Sequence, residues 1–409
     1  MSDSASPSKT YLPILLSACL LLMLSFGYRA GFGLFVVPMT EANSWGRDVL
    51  ALALAIQNLA WGVCAIIAGG LADRYGNIRV LVGGASCYAL GMMAMSVSST
   101  EFQIVSTAGL LVGAGIAGTS FGIVLPSIAR AVPEEKRGWA MGIGTAAGSF
   151  GQFLVVPVIQ GVVSLVGWQM ALIVLGLSGF MMAVFALPLA RYGSVATTGD
   201  DGPPLSLLRI ASLALQVRSY QLLIFGFFVC GFHLAFITVH MPGYLIDLGF
   251  SSQVGAWSIS LIGLCNVFGA YYSGVLSGKR SMRKLLTWIY LSRAVAISLF
   301  LLMPVSLVSI LAFSAAMGVL WLATVPPTSG LVALFFGTRY MSFLYGIVFL
   351  SHQLGSFTGV WLGGWIYEQF GNYDGMWLAG ITLGVIAALL HRPIEEKDYS
   401  AKLRMPAVA

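Results

Sequence analysis

Long apolar runs constrain this chain more than any other feature of its sequence. A helix that crosses a hydrocarbon core about 30 Å thick needs roughly 20 apolar residues. Only 9% of the 409 residues are charged, against about 25% in an average soluble domain, which is too little charge for a water-facing surface. The sequence therefore predicts an all-α integral membrane protein with twelve transmembrane helices, at residues 12–38, 49–72, 79–98, 103–129, 139–164, 168–190, 219–245, 254–277, 283–303, 306–330, 340–367 and 375–391.

The distribution of basic residues predicts the orientation of these spans. If the N-terminus is cytoplasmic, 18 of the 21 Lys and Arg residues fall on the cytoplasmic side, and only Arg47 falls outside. Arg29 and Arg293 lie within spans. Positive charge collects on the cytoplasmic side of membrane proteins, so we expect a bacterial inner-membrane protein with both termini cytoplasmic. The same asymmetry accounts for the net charge of +6 without nucleic acid as a partner.

The chain divides near its middle into two related parts. Residues 191–218 contain TTGDDGPP, the composition of a linker. A shift of 204 residues places GYRAGF (27–32) over GFHLAF (231–236), Pro38 over Pro242, and Gly142-Ile143 over Gly346-Ile347. Parallel repeats of this kind build transporters with a site between the halves. The predicted parts are a disordered N-terminus (1–11), a six-helix half (12–190), a cytoplasmic linker (191–218), a second pseudo-symmetric six-helix half (219–391) and a cytoplasmic tail (392–409).

The loop GGLADRYG (69–76) resembles the signature that follows span 2 in the major facilitator superfamily, Gly-x-Leu-x-Asp-Arg-x-Gly. A weakened copy occupies 273–285, and the resemblance covers essentially the whole chain. It implies a monomeric transporter that works by rocker-switch alternating access. It also implies a conformational role for the matching residues, Gly69, Asp73, Arg74 and Gly76, in a charge cluster that holds the outward-open state.

Three further stretches resemble bacterial monocarboxylate and oxalate/formate porters. They are RAGFGLFVVPM (29–39), PEEKRGWAMGIGTAAGSFGQ (133–152) and HQLGSFTGVWLGG (352–364). The acidic-Gly signature of animal monocarboxylate carriers is absent from span 1, and span 8 (254–277) lacks the Asp/Arg pair of those carriers. The resemblance therefore does not justify assigning lactate as the substrate of this chain.

Arg29 is the strongest candidate for substrate binding. A charge at the centre of a bilayer costs roughly 2.5–3.5 kcal/mol on insertion scales, and Arg29 lies nine residues before Pro38 in span 1. Its guanidinium could bind a carboxylate through two parallel hydrogen bonds; the structural alternative is a bond to backbone carbonyls. His233 is its repeat equivalent, expected to face it across a cavity and to bind substrate or a proton, or else to bond a neighbouring helix.

Other intramembrane polar residues are weaker candidates. His352 and Gln353 in span 11 could orient the substrate, whereas Arg293 in span 9 is expected to serve packing and His240 to serve a gate or the surface. Uncharged polar and aromatic groups inside spans face protein or a cavity. The remaining predicted substrate-binding residues are Tyr28, Gln57, Trp61, Gln152, Asn266 and Thr324.

Acidic residues are absent from the middle of the predicted spans: all fifteen lie in loops or at span ends. A cationic substrate is therefore disfavoured, and proton coupling would have to use His233, His352 or the carboxylate of the substrate. H+ is a candidate coupling ion. The sequence favours a secondary carrier of a small organic anion, a mono- or dicarboxylate. The alternatives are a carrier or exporter of a larger aromatic or weakly polar solute, such as a vitamin or drug, and a non-transporting receptor.

Enzymatic chemistry has no support in the sequence. No nucleophile–base pair, metal-ligand cluster or phosphate-binding loop is visible. The five cysteines lie in apolar stretches and are interpreted as small apolar fillers. We therefore expect no enzymatic activity, no cofactor and no metal.

Overall fold

A computed structural model describes residues 11–133, 136–192, 206–337 and 340–403, without the side chains of Asp73, Arg74, Arg137, Gly138, Arg191, Tyr192, Ser342 and Lys402. Residues 1–10 of the predicted disordered N-terminus, residues 193–205 of the predicted linker and residues 404–409 of the predicted tail lie outside this description. Within it, every regular element is helical. The prediction of an all-α fold is confirmed.

Seventeen α-helices are described. In chain order they are α1 (Leu12–Gly31), α2 (Val36–Asn43), α3 (Arg47–Tyr75), α4 (Asn77–Met95), α5 (Glu101–Ile104), α6 (Val112–Thr119), α7 (Phe121–Ala131), α8 (Arg137–Gly179), α9 (Met181–Ala186), α10 (Leu207–Ala214), α11 (Arg218–Asp247), α12 (Ser252–Ser277), α13 (Met282–Leu302), α14 (Leu307–Leu320), α15 (Val325–Phe336), α16 (Met341–Phe370) and α17 (Asp374–His391).

Ten helical stretches in the described residues are long and apolar enough to cross a membrane, two fewer than predicted. One of them, Trp139–Ala190, has 52 residues, and its backbone leaves the helical conformation at Gly167 (φ 77°, ψ 165°), between two predicted spans. The 30-residue helix α16 is not among the ten. Its middle carries Ser351, His352 and Gln353, which lower its apolar character. The predicted number of twelve is reached when Trp139–Ala190 counts as two spans and α16 as one.

The chain forms two compact units. The first consists of Met1–Ala196 and Thr238–Leu264, and the second of Thr197–Ile237 and Cys265–Ala409. The unit boundaries therefore pass through α11 and α12, whereas the sequence places the division at the linker 191–218. The end of α11 and the beginning of α12 belong to the first unit.

Polar contacts within the first unit explain why it includes Thr238–Leu264. Arg47 forms a two-bonded ion pair with Asp247, with N–O distances of 2.6 and 2.7 Å. Gln160 Nε2 donates to Ser252 Oγ over 2.9 Å. Three other contacts join the same segment to the unit: Gln152 Nε2 to Ile259 O at 2.8 Å, Ser260 Oγ to Phe153 O at 2.7 Å, and Gly33 against the carbonyls of Thr238 and Val239.

We expect the ion pair between Arg47 and Asp247 to make a measurable contribution to stability. Its side chains are only 11% and 30% exposed, so a double-mutant cycle with Arg47→Gln and Asp247→Asn should give a coupling energy of about 1 kcal/mol, reduced by high salt. Thermal unfolding in detergent measures it. Lys397→Gln removes the exposed pair with Glu395 and should leave the melting temperature unchanged. A coupling energy of zero would show that the pair does not hold this segment.

Each unit contains the same close contact between two helices. In the first unit, α1 meets α8 at Gly27 and Gly151; a Cβ at Gly27 would lie 2.6 Å from Val155 Cβ and 3.0 Å from Gly151 O. In the second unit, α11 meets α16 at Gly231 and Gly355, where an added Cβ would overlap the partner backbone. Both glycine pairs are related by the 204-residue shift. The predicted repeat is therefore present in the packing as well as in the sequence.

A second shared feature is a break inside one membrane-crossing stretch of each unit. In the first unit, α6 ends and α7 begins at Ser120, whose ψ is 175°. In the second, α14 and α15 are separated by residues 321–324. Ser120 and Thr324 are again 204 residues apart. Paired interruptions in corresponding positions of two halves commonly mark the site of a transporter.

The described part of the tail packs against α13 and α15 within the second unit. Glu396 Oε1 accepts hydrogen bonds from Ser281 Oγ (2.8 Å) and from the backbone N of Arg283 (2.7 Å) at the first turn of α13. A carboxylate is favourable there because the first N–H groups of a helix have no partners inside it. Tyr399 N donates to Phe335 O over 2.7 Å.

Candidate functional site

Arg29 lies near the end of α1 and is partly exposed. Its Nη2 donates to Asn58 Oδ1 over 3.0 Å. Its guanidinium carbon lies 4.8 Å from the ring centre of Trp61, a cation–π contact that a desolvated site strengthens. Among the residues that the structure describes, no carboxylate forms an ion pair with Arg29. The positive charge is thus held in place by neutral groups.

Two further contacts fix the orientation of these neighbours. Asn58 Nδ2 donates to Leu54 O one turn earlier in α3 (2.9 Å), which points Oδ1 toward the guanidinium. Trp61 meets Phe26 edge to face at 6.1 Å, and Phe26 stacks on Phe121 at 4.1 Å. Phe121 begins α7, directly after the break at Ser120. An aromatic wall therefore extends from the guanidinium to the interrupted helix.

The other predicted binding residues of this unit point elsewhere. Tyr28 is 4% exposed, and its hydroxyl bonds to Ser178 Oγ at 2.8 Å. Gln57, 4% exposed, donates to Ala108 O over 2.8 Å. Gln152 donates to Ile259 O. Each makes an interhelical hydrogen bond, so the structure brings together Arg29 and Trp61 of the predicted set but not these three.

In the second unit, His352 and Gln353 form a buried pair on α16. His352 Nδ1 donates to Gln353 Oε1 over 3.0 Å. The imidazole lies between the rings of Phe227 and Phe349, with ring centres 5.0 and 5.7 Å away. With Nδ1 carrying the proton, Nε2 is the nitrogen that can accept another.

The break between α14 and α15 is held by side chains from three other helices. Pro326 and Pro327 have no N–H groups, so the helix cannot bond the carbonyls of Leu322 and Ala323 in the usual way. Ser273 Oγ donates to Ala323 O, and Asn266 Oδ1 accepts from Leu322 N at 2.9 Å. Thr324 Oγ1 lies 3.2 Å from Cys230 Sγ, and Arg293 binds the carbonyls of Leu320 and Trp321. The predicted residues Asn266 and Thr324 thus stabilise an interrupted helix.

His233 is deeply buried in the second unit, at 1% exposure. Its Nε2 donates to Gly380 O on α17 over 2.7 Å. This is the geometry of the structural alternative, a neutral histidine bonded to a neighbouring helix. His240 is also buried, at 1% exposure, and not on the surface of the first unit.

An apolar groove of about 480 Å³ runs between α13 and α14. Trp288 and Leu299 line it and are 65% and 53% exposed. Such a face suits lipid chains, and none of the predicted binding residues lines it. No group of three or more His, Cys, Asp or Glu side chains within the described ranges could hold a metal ion.

Sequence comparison settles the family. A model of the Major Facilitator Superfamily matches residues 18–359. The chain belongs to this superfamily. It is accordingly a multi-pass membrane transporter of a small molecule, as the sequence predicts.

Related sequences and similar solved structures align with most of the chain. The chain is 24% identical over 360 residues to the uncharacterized MFS-type transporter YcxA of Bacillus subtilis (strain 168), and the alignment covers 84% of this chain and 85% of that protein. Monocarboxylate transporter 13 of Rattus norvegicus is 26% identical over 370 residues, covering 87% and 82%. A solved structure of a mutant of the nucleoside transporter NupG has a TM-score of 0.78 at 14% identity, covering 93% of this chain and 99% of that one.

The superfamily signature lies at the junction of α3 and α4. Gly76 alone separates the two helices, with φ of 88°, a conformation that residues with a Cβ rarely adopt. A Cβ at Gly69 would meet nothing within 4 Å. The side chains of Asp73 and Arg74 lie outside the described part of the chain, so their conformational role remains a prediction.

Proposed function

We propose that this chain is a secondary carrier of a small organic anion, a mono- or dicarboxylate, in a bacterial inner membrane with both termini cytoplasmic. It works as a monomer by rocker-switch alternating access, and Arg29 binds the carboxylate. One observation carries the proposal: Arg29 is a residue of intermediate exposure whose guanidinium has only neutral partners among the described residues.

The geometry around Arg29 suits a carboxylate. A guanidinium has five N–H donors, and the described side chains use one of them, from Nη2 to Asn58. The remaining donors are available for a two-bonded contact with a planar carboxylate. Because Asn58 and Trp61 hold the group in position, little side-chain freedom is lost when the anion binds.

Proton coupling in this proposal uses His352 or the carboxyl group of the substrate. His233 has one ring nitrogen bonded to Gly380 O and is 1% exposed. His352 is 7% exposed and has its Nδ1 orientation fixed by Gln353. The imidazole of His352 also interacts with the Cys230 thiol on α11, so its protonation would act directly on a contact between α11 and α16.

The deciding experiment compares wild type and Arg29→Gln for thermal stabilisation by carboxylates, vitamins and neutral solutes at pH 5.5 and 7.5. A ligand at 100 times its dissociation constant stabilises by about 2.7 kcal/mol. We expect a small carboxylate to raise the melting temperature of wild type, and Arg29→Gln to weaken its binding at least tenfold, since hydrogen bonds to a charged group contribute about 1.5–3 kcal/mol.

Arg47→Gln is the matched control, because it removes an arginine that is already paired with Asp247. It should leave carboxylate binding unchanged. Equal carboxylate binding by wild type and Arg29→Gln, with both proteins folded, would refute the assignment of Arg29.

The aromatic wall of Trp61, Phe26 and Phe121 supports a second candidate, a carrier or exporter of a larger aromatic or weakly polar solute. Stacking on these rings would provide its binding energy. Stabilisation only by aromatic or neutral solutes, retained in Arg29→Gln, would favour this candidate over an anion carrier.

A further inference from the structure

Arg293, on α13, has no exposed surface. Its Nε and Nη2 donate to Leu320 O at 3.2 and 2.7 Å, and Nη2 also donates to Trp321 O at 2.5 Å. These bonds cap the end of α14. Nη1 is buried without a hydrogen-bond partner. Capping of α14 therefore accounts for the burial of Nε and Nη2 but not for that of Nη1.

The charge of Arg293 also lacks a carboxylate partner in the described part of the chain. No described carboxylate lies within ion-pair distance of it. Carbonyl dipoles satisfy two of its nitrogens, yet a buried charge is costly unless it is both hydrogen-bonded and paired. A guanidinium retained in this state is expected to meet a negative group at some stage of the transport cycle.

A second underused donor lies next to it. Tyr290 is fully buried, and its hydroxyl makes no regular hydrogen bond, with the Cys230 sulfur as its polar neighbour. The guanidinium carbon of Arg293 lies 5.3 Å from the centre of the Tyr290 ring. Cys230, bonded to Thr324 at 3.2 Å, and His233, whose Nδ1 is unpartnered, lie within electrostatic range of Arg293. The cluster thus combines underused donors and one unused acceptor, and it contains no carboxylate among the described residues.

We propose that Arg293 and Tyr290 form an anion-binding position in the second unit, which takes a carboxylate group. Arg293 Nη1 and Tyr290 Oη supply the donors. For a carboxylate to reach this position, residues 321–324 must move. These residues are not part of a continuous helix, and hydrogen bonds from neighbouring side chains hold them in place. The proposal rests on the proposed function only for the chemical class of the anion, since Arg29 belongs to the first unit and is tested separately.

Tyr290→Phe gives the sharpest test, because it removes one buried oxygen that makes no regular hydrogen bond and lies beside the weakly bonding sulfur of Cys230. A structural role of this hydroxyl predicts a loss of stability, whereas removal of an unsatisfied buried group predicts a gain. We expect the ligand-free variant to melt above wild type and to bind acetate and oxalate at least tenfold more weakly at this position. Tyr220→Phe is the matched control: its hydroxyl donates to Leu344 O over 2.7 Å, so it should melt below wild type and bind these anions normally.

Equilibrium dialysis with radiolabelled oxalate separates the two positions. We expect two oxalate molecules bound per chain in wild type, one in Arg29→Gln, and none over the same concentration range in Arg29→Gln/Tyr290→Phe. Unchanged binding between the last two variants would overturn the inference and leave Arg293 as a helix cap with a bridging water. If Tyr290→Phe loses one bound oxalate, the inference is supported whatever the result for Arg29→Gln. Wild-type binding by Arg29→Gln would refute only the assignment of Arg29.

Discussion

Asn58→Asp should weaken carboxylate binding by about 100-fold while the protein stays folded. The Asn58 oxygen already accepts from Arg29 Nη2 at 3.0 Å, so an aspartate there would place a carboxylate beside the guanidinium. The internal ion pair would neutralise Arg29 and occupy the donors that the substrate needs. A loss of about 2.7 kcal/mol corresponds to 100-fold in the dissociation constant. Titration of the purified variant with the carboxylate that stabilises wild type measures it.

Asn58→Ser distinguishes the effect of the added negative charge on binding from the effect of losing the amide group. It removes the contact with Arg29 without introducing a competing anion, so a weakening of only a few-fold is expected. Wild-type affinity in Asn58→Asp would contradict the proposal, because a substrate anion held by Arg29 must compete with that aspartate.

Gly355→Ala should have the largest effect on stability. A Cβ at Gly355 would overlap the carbonyl of Phe228 on α11. Backbone cannot rotate away as a side chain can, so α11 and α16 would have to separate along their contact. Overpacking typically costs about 1–3 kcal/mol, and a backbone clash belongs at the upper end of that range. Thermal unfolding of the purified protein in detergent measures the change.

Gly346→Ala tests whether the effect comes from the contact or from the substitution itself. Gly346 lies on the same helix, and a Cβ there would meet nothing within 4 Å. Since alanine favours a helix over glycine by up to about 1 kcal/mol, this variant should melt at or slightly above the wild-type temperature. If the two variants melt alike, backbone contact at Gly355 does not hold α11 to α16.

Most of the fold was accessible from the sequence because membrane spans depend on local apolar length. Runs of about 20 residues identified the helices, and Gly167 lies in the predicted gap between 139–164 and 168–190. The unit boundary was not accessible in this way. It depends on tertiary contacts such as that of Arg47 with Asp247, which are 200 residues apart.

The arrangement of the candidate site was predicted less completely. Arg29 was predicted because a charge inside a span is costly, and Trp61 because such a group inside a span faces protein or a cavity. The two side chains do lie together. Asn58 was not among the predicted binding residues, because its contact with Arg29 on another helix has no signature in the sequence. The adjacent prolines Pro326 and Pro327 were an available signal for the break before α15. Arg293 was assigned to packing, and its unused Nη1 became visible only with its neighbours in place.

The glycine contacts and the helix breaks together constrain how the chain has changed since its halves diverged. Gly27 and Gly231, Ser120 and Thr324, and Gly151 and Gly355 all differ by the same number of residues. No net insertion or deletion therefore separates the two copies between these points, although few of their residues are identical. Connections in membrane carriers are exposed and usually free to change in length. Individual connections have changed here, with one residue between α3 and α4 but four between α12 and α13. The distance along the chain between the glycine contacts and the breaks is nevertheless the same in both halves, which indicates that these packing points were held in register while side chains and loops changed.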